Sequence, residues 1–238
     1  MSEAISPPLR AVHAGDARAA SLPLARAWAL SRRFPFGYQN HYVFCKLVMD
    51  PVYAATLASL RAAPPLPLLD IGCGPGLLSL YLRAHGFAPP IHGIDYDPRK
   101  TETAAAVLAG FADCTFAPGD AREGLPEHSG HVSILDILQF FTPDEVRALV
   151  TAAAARVAPG GRLVIRTCLR DEGWRFRLTR AGDWLAKVTF WMKDHASHYP
   201  SREELTGVLE AAGLRGTVRR LSGRLPFNNF FIDFGRES

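Results

Sequence analysis

The sequence is poor in cysteine: four residues in 238 (Cys45, Cys73, Cys114, Cys168), widely scattered and with no C-x-x-C pair. That pattern argues against a disulfide frame and against a zinc site, and it reads as reduced thiols. Long apolar runs are lacking as well. None approaches the roughly 18 uninterrupted apolar residues of a spanning helix, so no transmembrane segment is expected. The first residues do not show the basic-then-apolar order of a secretory signal, since residues 2–16 hold Pro, Glu and Arg instead. The expected location is therefore the cytoplasm. No internal repeat and no Lys/Arg-rich block interrupts the chain. The net charge of +4 permits anionic partners without requiring nucleic acid.

What remains is ordinary globular material, 48% hydrophobic and 21% charged, at a length that can bury a substantial core. Residues 1–20 are rich in Ala, Ser and Pro and are expected to be a flexible terminus. Residues 21–65 read as a helical cap. Its first helix starts near Ser21 with Leu24, Ala25 and Trp28 on one side, and Phe34-Pro35-Phe36-Gly37 ends it. Tyr38 to Met49 form a second helix. Asp50-Pro51 reads as an N-cap followed by proline at the first helical position, opening a third through Leu60.

From residue 66 strands and helices alternate, the pattern of a parallel sheet covered on both faces. Strands are expected at 66–71, 91–95, 114–117, 132–135 and 162–167. Helices fall between them at 77–85, 99–108 and 143–156, the last with Asp144 and Glu145 in its favourable first turn. Residues 170–199 break the rhythm with Trp174, Phe176, Trp184 and Trp191 among basic residues. Ser201-Arg202-Glu203-Glu204 then opens a helix as a capping box, closed by Gly213. Two strands, 216–221 and 229–234, finish the chain as an antiparallel hairpin.

The chemistry is concentrated in Leu68-Leu69-Asp70-Ile71-Gly72-Cys73-Gly74-Pro75-Gly76, where a strand runs into a helix. Glycines at alternate positions let the backbone turn sharply and approach a ligand closely. A dinucleotide fingerprint needs glycine at 77, where Leu77 stands. Asp70, two residues before the first glycine, can instead meet a cationic ammonium. The plainer alternative is a strand-to-helix turn whose glycines are incidental.

This segment resembles motif I of the class I S-adenosylmethionine-dependent methyltransferases, matching Asp-x-Gly-x-Gly-x-Gly throughout. The resemblance implies an α/β fold with a doubly wound, seven-stranded, mostly parallel sheet of the Rossmann-like methyltransferase kind. It implies S-adenosyl-L-methionine as cofactor, with Asp70, Gly72, Cys73, Gly74 and Gly76 around its methionine and ribose. Asp95, ending Ile91-His92-Gly93-Ile94-Asp95 before Tyr96, resembles the acid that accepts from both ribose hydroxyls, a task that suits two carboxylate oxygens. Asp120 and Ala121, in Gly119-Asp120-Ala121, resemble the adenine-binding position. A solvated turn aspartate competes with the functional reading at both acids. Ala158-Pro159-Gly160-Gly161-Arg162-Leu163 resembles the family's turn before strand five.

The stretch Ile134 to Phe141 departs from the family pattern, with Gln139 in place of a usual histidine and His131 where many members have an acid. Asp136 there orients cofactor or caps the strand, and it is one candidate for acid or base work on the substrate side. His41, His195 and His198 are the others, with His41 and His198 as the catalytic candidates; a surface or pocket-lining role competes at each. No metal site is expected, because no third ligand accompanies the histidine pair. Residues 170–199 read as a substrate lid, a dimer surface or extra core, or as a basic surface for an acidic carrier protein or an anionic head group.

Arg33-Phe34-Pro35-Phe36-Gly37-Tyr38, Lys46-Leu47-x-x-Asp50-Pro51-x-Tyr53 and Asn228-Asn229-Phe230 are similar to methyltransferases of bacterial aryl-polyene or polyketide-type pigment pathways. That implies a secondary-metabolism role and an aromatic or acyl small-molecule acceptor, with presentation on an acyl carrier protein and a homodimer as options. A nucleic-acid methyltransferase is the rival reading, against which stands the lack of an Asn/Asp-Pro-Pro-Tyr/Phe motif or an RNA-binding module. A non-catalytic scaffold on the same fold is the other.

Overall fold

The computed structural model describes residues 23–35, 37–170, 198–221 and 228–238. The N-terminal segment expected to be flexible, and residues 171–197 with the aromatics of the insertion and His195, lie outside the described residues.

Seven strands form one sheet in the order β3-β2-β1-β4-β5-β7-β6. They are β1 Leu68–Ile71, β2 Ile91–Asp95, β3 Cys114–Pro118, β4 His131–Leu135, β5 Arg162–Cys168, β6 Leu214–Arg220 and β7 Asn229–Arg236. Strands β1 to β5 are mutually parallel, and β7 runs antiparallel to both β5 and β6. The expected doubly wound sheet and closing hairpin are therefore present. The strand order reverses between β1 and β4, and open α/β sheets bind ligands at such a switch point.

Three cap helices, α1 Leu24–Ser31, α2 Tyr38–Met49 and α3 Val52–Arg61, precede the sheet. Asp50 is extended while Pro51 is already helical, and Asp50 Oδ1 accepts from the Val52 N–H at 3.1 Å. The predicted cap and first-turn proline are thus realised. In α1 the buried side chains are Ala27 and Ser31, whereas Leu24 and Trp28 are exposed. Leu24 and Trp28, which the sequence groups on one side of the helix, thus lie on its outer face, and small residues form the inner one.

The remaining helices are α4 Leu77–Ala84, α5 Pro98–Val107, α6 Pro143–Ala155 and α7 Arg202–Ala211. Alternation along the strands sends Leu68, Val164 and Phe231 into a core shared with the cap and with α4 and α5. Their neighbours Leu69, Leu163, Ile165 and Ile232 enter the opposite core, against α6 and α7. Both faces of the central strands β1, β4 and β5 are covered, and they are buried along nearly their whole length, whereas the edge strands β3 and β6 are largely exposed or half-buried. Both α6 and α7 begin with full capping boxes, Thr142 with Glu145 and Ser201 with Glu204. β1 starts two residues later than the sequence suggests, since Pro67 has no N–H for the ladder. No single helix among the described residues is long and apolar enough to cross a membrane.

Candidate cofactor cleft and acceptor side

At the switch point the chain leaves β1 through Gly72 to Gly76 and enters α4. The N–H groups of Gly72 and Cys73 both donate to the Ile94 carbonyl, at 2.8 and 2.9 Å, so the loop is tied to the end of β2. Gly72 has φ +73°, and a Cβ there would lie 2.7 Å from Ile137 Cγ2. Gly74 has φ +53°, but nothing lies within 4 Å of where its Cβ would stand. One glycine thus accommodates the protein and the next faces open space.

Asp95 turns its carboxylate back on this loop. Its Oδ2 accepts from the Gly74 N–H at 3.0 Å and its Oδ1 from the Asp97 N–H at 3.0 Å. Lys100 Nζ stands 3.7 Å from Oδ1. A cleft of about 330 Å³ opens beside these groups, between the ends of β2 and β3 and the turn after β4. Gly72, Asp95, Tyr96, Asp120 and Ala121 line it, so five of the sequence candidates meet at one cavity. Asp120 Oδ1 accepts from the Arg122 N–H at 2.9 Å, and Arg122 Nη1 stands 3.2 Å from Oδ2.

Asp70 and Cys73 lie beneath the loop. Asp70 is buried and accepts from Ser133 Oγ at 2.7 Å. Burial pushes its carboxyl up to about 7, against the Ser133 hydrogen bond and with added repulsion from Asp95. The same burial, with the charges of Asp70 and Asp95 behind it, pushes the Cys73 thiol up. Gly76 closes the loop at φ +83°, packed against Ala104 and Leu108.

Asp136 lies outside the cleft lining, although the next residue, Ile137, is part of it. It adopts the left-handed conformation (φ 61°) that aspartate tolerates better than most residues. Its Oδ2 pairs with Arg166 Nη2 from the buried interior of β5. The same Nη2 reaches Asp50 Oδ2 at 3.1 Å, and Lys46 Nζ reaches that oxygen at 2.9 Å and Asp136 Oδ2 at 3.9 Å. Burial alone would raise the Asp50 carboxyl, but Arg166 and then Lys46 hold it below its ordinary value. Burial likewise opposes the Lys46 ammonium, and the surrounding acidic groups outweigh it. Two cations and two carboxylates thus join the cap to the C-terminal ends of β4 and β5.

The two candidate histidines are not brought to the cleft. His41 is exposed on α2, its Nδ1 3.1 Å from the Gly37 carbonyl and its ring against Trp28. His198 is half-buried beside a groove between α6 and α7, with Nε2 3.7 Å from Glu204 Oε2. Its N–H donates to the Gln139 carbonyl, and Gln139 Nε2 in turn donates to the Asp136 carbonyl. His131 is wholly buried, its two ring nitrogens bonded to the Pro64 carbonyl and the Arg162 N–H. No cluster of three metal-ligating side chains occurs among the described residues.

Sequence reasoning missed Arg122, Ile137, Phe140 and Phe141 in the cleft wall, and Arg166 with Lys46 and Asp50 beside it. Arg166 left one signal: a charged residue at an inward position of an otherwise apolar strand.

Residues 40–218 match the model of a family described as a methyltransferase domain. The chain belongs to that family. With the fold, this bears out the resemblance to the class I S-adenosylmethionine-dependent methyltransferases read from the glycine loop. It is 30% identical over 158 residues to the trans-aconitate 2-methyltransferase of Streptomyces coelicolor, across 65% of this chain and 47% of that one. It is 32% identical over 179 residues to a ubiquinone biosynthesis O-methyltransferase of Paramagnetospirillum magneticum, across 71% and 66%. The chain thus spans about half the length of the first of these curated relatives. Among solved structures it resembles the magnesium protoporphyrin IX methyltransferase of Synechocystis with bound S-adenosylhomocysteine. The TM-score is 0.63, with 20% identity over 90% of this chain and 94% of that one.

The residues present fit such a cofactor. Open space faces Gly74, a cleft of suitable size adjoins it, and among the described residues the buried Asp70 has no cation beside it to pair with.

Proposed function

We propose that this chain transfers a methyl group from S-adenosyl-L-methionine to a small acceptor, aromatic or acyl in type, by in-line displacement. The observation that supports this best is the meeting of the Gly72–Gly76 loop, Asp95 and Asp120 at one cleft on the switch point. When bound, the cofactor supplies an electrophilic methyl group on a sulfonium, so the protein's task is positioning. Alignment of this kind can contribute roughly 7–11 kcal/mol in favourable cases.

In this reading Asp70, Gly72, Cys73, Gly74 and Gly76 form the methionine end of the site. Each oxygen of Asp95 already takes one backbone N–H and keeps a second acceptor direction for a ribose hydroxyl, with Tyr96 beside it. Asp120 and Ala121 form the adenine end.

On the acceptor side the geometry favours Asp136 over His41 and His198. Asp136 adjoins Ile137 in the cleft wall, and 39% of its side chain is exposed, against 5% for its partner Arg166. It can accept a hydrogen bond from an acceptor hydroxyl while Arg166 holds it in place. The names of the two relatives point toward small acceptors. Presentation on an acyl carrier protein, assembly as a homodimer, action in the cytoplasm and a place in secondary metabolism belong to the same reading, as does the lid role for residues 170–199.

The test is direct. Calorimetry should show binding of S-adenosylmethionine and S-adenosylhomocysteine, and absence of both would sink the proposal. Radiolabel from the methyl group should enter a small-molecule or carrier-bound fraction, and label found only in RNA would overturn the acceptor class. At saturating cofactor, Asp136→Asn should cost more turnover than His41→Ala or His198→Ala.

A further inference from the structure

We propose that Arg122 sets the base selectivity of the cofactor cleft by holding Asp120 as an acceptor, so that the cleft takes a 6-amino purine and refuses a 6-oxo purine. The inference rests on the cofactor reading above and deepens it. Arg122 follows Asp120 by two residues, in the loop after β3, and its guanidinium is held on several sides. Nη1 lies 3.2 Å from Asp120 Oδ2, and Nε lies 3.4 Å from Glu145 Oε1. Nη2 donates to the Phe140 carbonyl at 3.2 Å, and the guanidinium carbon stands 4.5 Å from the centroid of the Phe141 ring. Glu145 is itself fixed by its capping box, its Oε2 accepting from the Thr142 N–H at 2.7 Å. One guanidinium therefore joins the loop after β3 to the start of α6, inside the wall of the cleft.

A planar fork with carboxylates at two edges and a ring on its face has little freedom to turn. Asp120 inherits that restraint. Its Oδ1 is occupied by the Arg122 N–H at 2.9 Å and by Nη1 at 3.4 Å, while among the described residues Oδ2 receives Nη1 alone. A carboxylate oxygen accepts along two directions, so Oδ2 keeps one unused. A carboxylate has no proton to offer. It can accept from the amino group of adenine, but it would face the oxo group of hypoxanthine acceptor to acceptor. Without the Arg122 guanidinium only the backbone N–H of residue 122 still holds Asp120, through Oδ1, so Oδ2 loses its restraint and the distinction between the two bases fades.

Calorimetric affinities for S-adenosylhomocysteine and S-inosylhomocysteine test this in the full chain and in Arg122→Met, Arg122→Lys and Glu145→Gln. Glutamine at 145 can still close the capping box while removing the charge that holds Arg122. The unaltered chain should prefer the adenosyl ligand by at least about tenfold. The preference should narrow to within about threefold in Arg122→Met and be intermediate in the other two. If the unaltered chain binds neither ligand, the cofactor reading itself fails. If it binds the adenosyl ligand and all three variants keep the full preference, or lose affinity for both ligands alike, the role of Arg122 is overturned. Equal affinity of the unaltered chain for both ligands overturns it too. Should Arg122→Met fail to fold, the ratio in Glu145→Gln decides in the same way.

Discussion

Ile137 fills the space that a side chain on Gly72 would need: a Cβ on Gly72 would lie 2.7 Å from Ile137 Cγ2. Gly72→Ala should therefore cost stability, about 1–3 kcal/mol from overpacking, with left-handed backbone strain added. Ile137→Ala in the same chain should recover part of that loss, and denaturant melts of the single and double variants check it. Gly74→Ala carries only the backbone strain, since no atom stands near its Cβ. It should change stability by about 1–2 kcal/mol yet sharply weaken binding of S-adenosylhomocysteine. An alanine at 74 that binds as tightly as glycine would show that the ligand does not lie there.

Asp70 carries a stability cost whose sign can be checked. Its carboxyl is raised in the folded chain to about 7, from an ordinary value of 3.8. The protonated form favours folding, so its contribution is full below the unfolded value and is lost as pH rises through about 7. Asp70→Asn should then raise the melting temperature of the ligand-free chain at pH 8, at about 2–4 °C per kcal/mol, with the gain shrinking toward pH 4. The same substitution should weaken cofactor binding, because an amide cannot pair with the ammonium. A melting difference that is constant across pH would refute the assignment.

His131 behaves in the opposite sense. Its Nδ1 accepts from the Arg162 N–H at 3.0 Å, so its proton sits on Nε2, 3.0 Å from the Pro64 carbonyl. Burial lowers its pKa below the ordinary value of 6.5, with smaller repulsion from Arg162 and His128. Its contribution to stability is present above 6.5 and is lost as pH falls through the lowered value. His131→Ala should cost on the order of 2–4 kcal/mol at pH 8, because the wholly buried ring is lost and the Pro64 carbonyl and the Arg162 N–H lose their partner. The cost should be smaller at pH 5, as urea melts at the two pH values would show.

Arg166 holds Asp50 and Asp136 through one nitrogen, and its side chain is 5% exposed. Arg166→Met should destabilise the fold by about 3–5 kcal/mol, because two carboxylates would then share Lys46 alone. Asp50→Asn in the Arg166→Met background should recover part of this. A double-mutant cycle by guanidinium melts measures the coupling, and a value near zero would mean that the pairing contributes nothing.

The sheet and its helices were legible because their signals are local. The capping box at Ser201, the acidic first turn of Asp144 and Glu145, glycines at 72, 74 and 76, and apolar runs bounded by turns each specify an element within about ten residues. The meeting of Asp95, Asp120 and the loop followed from topology, since each closes one strand or loop at the same end of the sheet. Other contacts depend on distant segments. Asp50 and Arg166 are separated by 116 residues, and no periodicity announces that pair. Likewise α1 buries Ala27 and Ser31 rather than Trp28 because of what packs against it, a fact absent from the helix's own sequence. The placement of His41 against Trp28 follows from the same unpredicted face.

The strand order β5-β7-β6 carries a consequence for assembly. β6 precedes β7 in the chain, yet it touches the rest of the sheet only through β7. During synthesis β6 therefore waits, with no edge to join, until β7 has been made and has settled on β5. A chain cut after Leu221 would lose two strands for the price of one and leave β5 as a bare edge, inviting pairing with other chains.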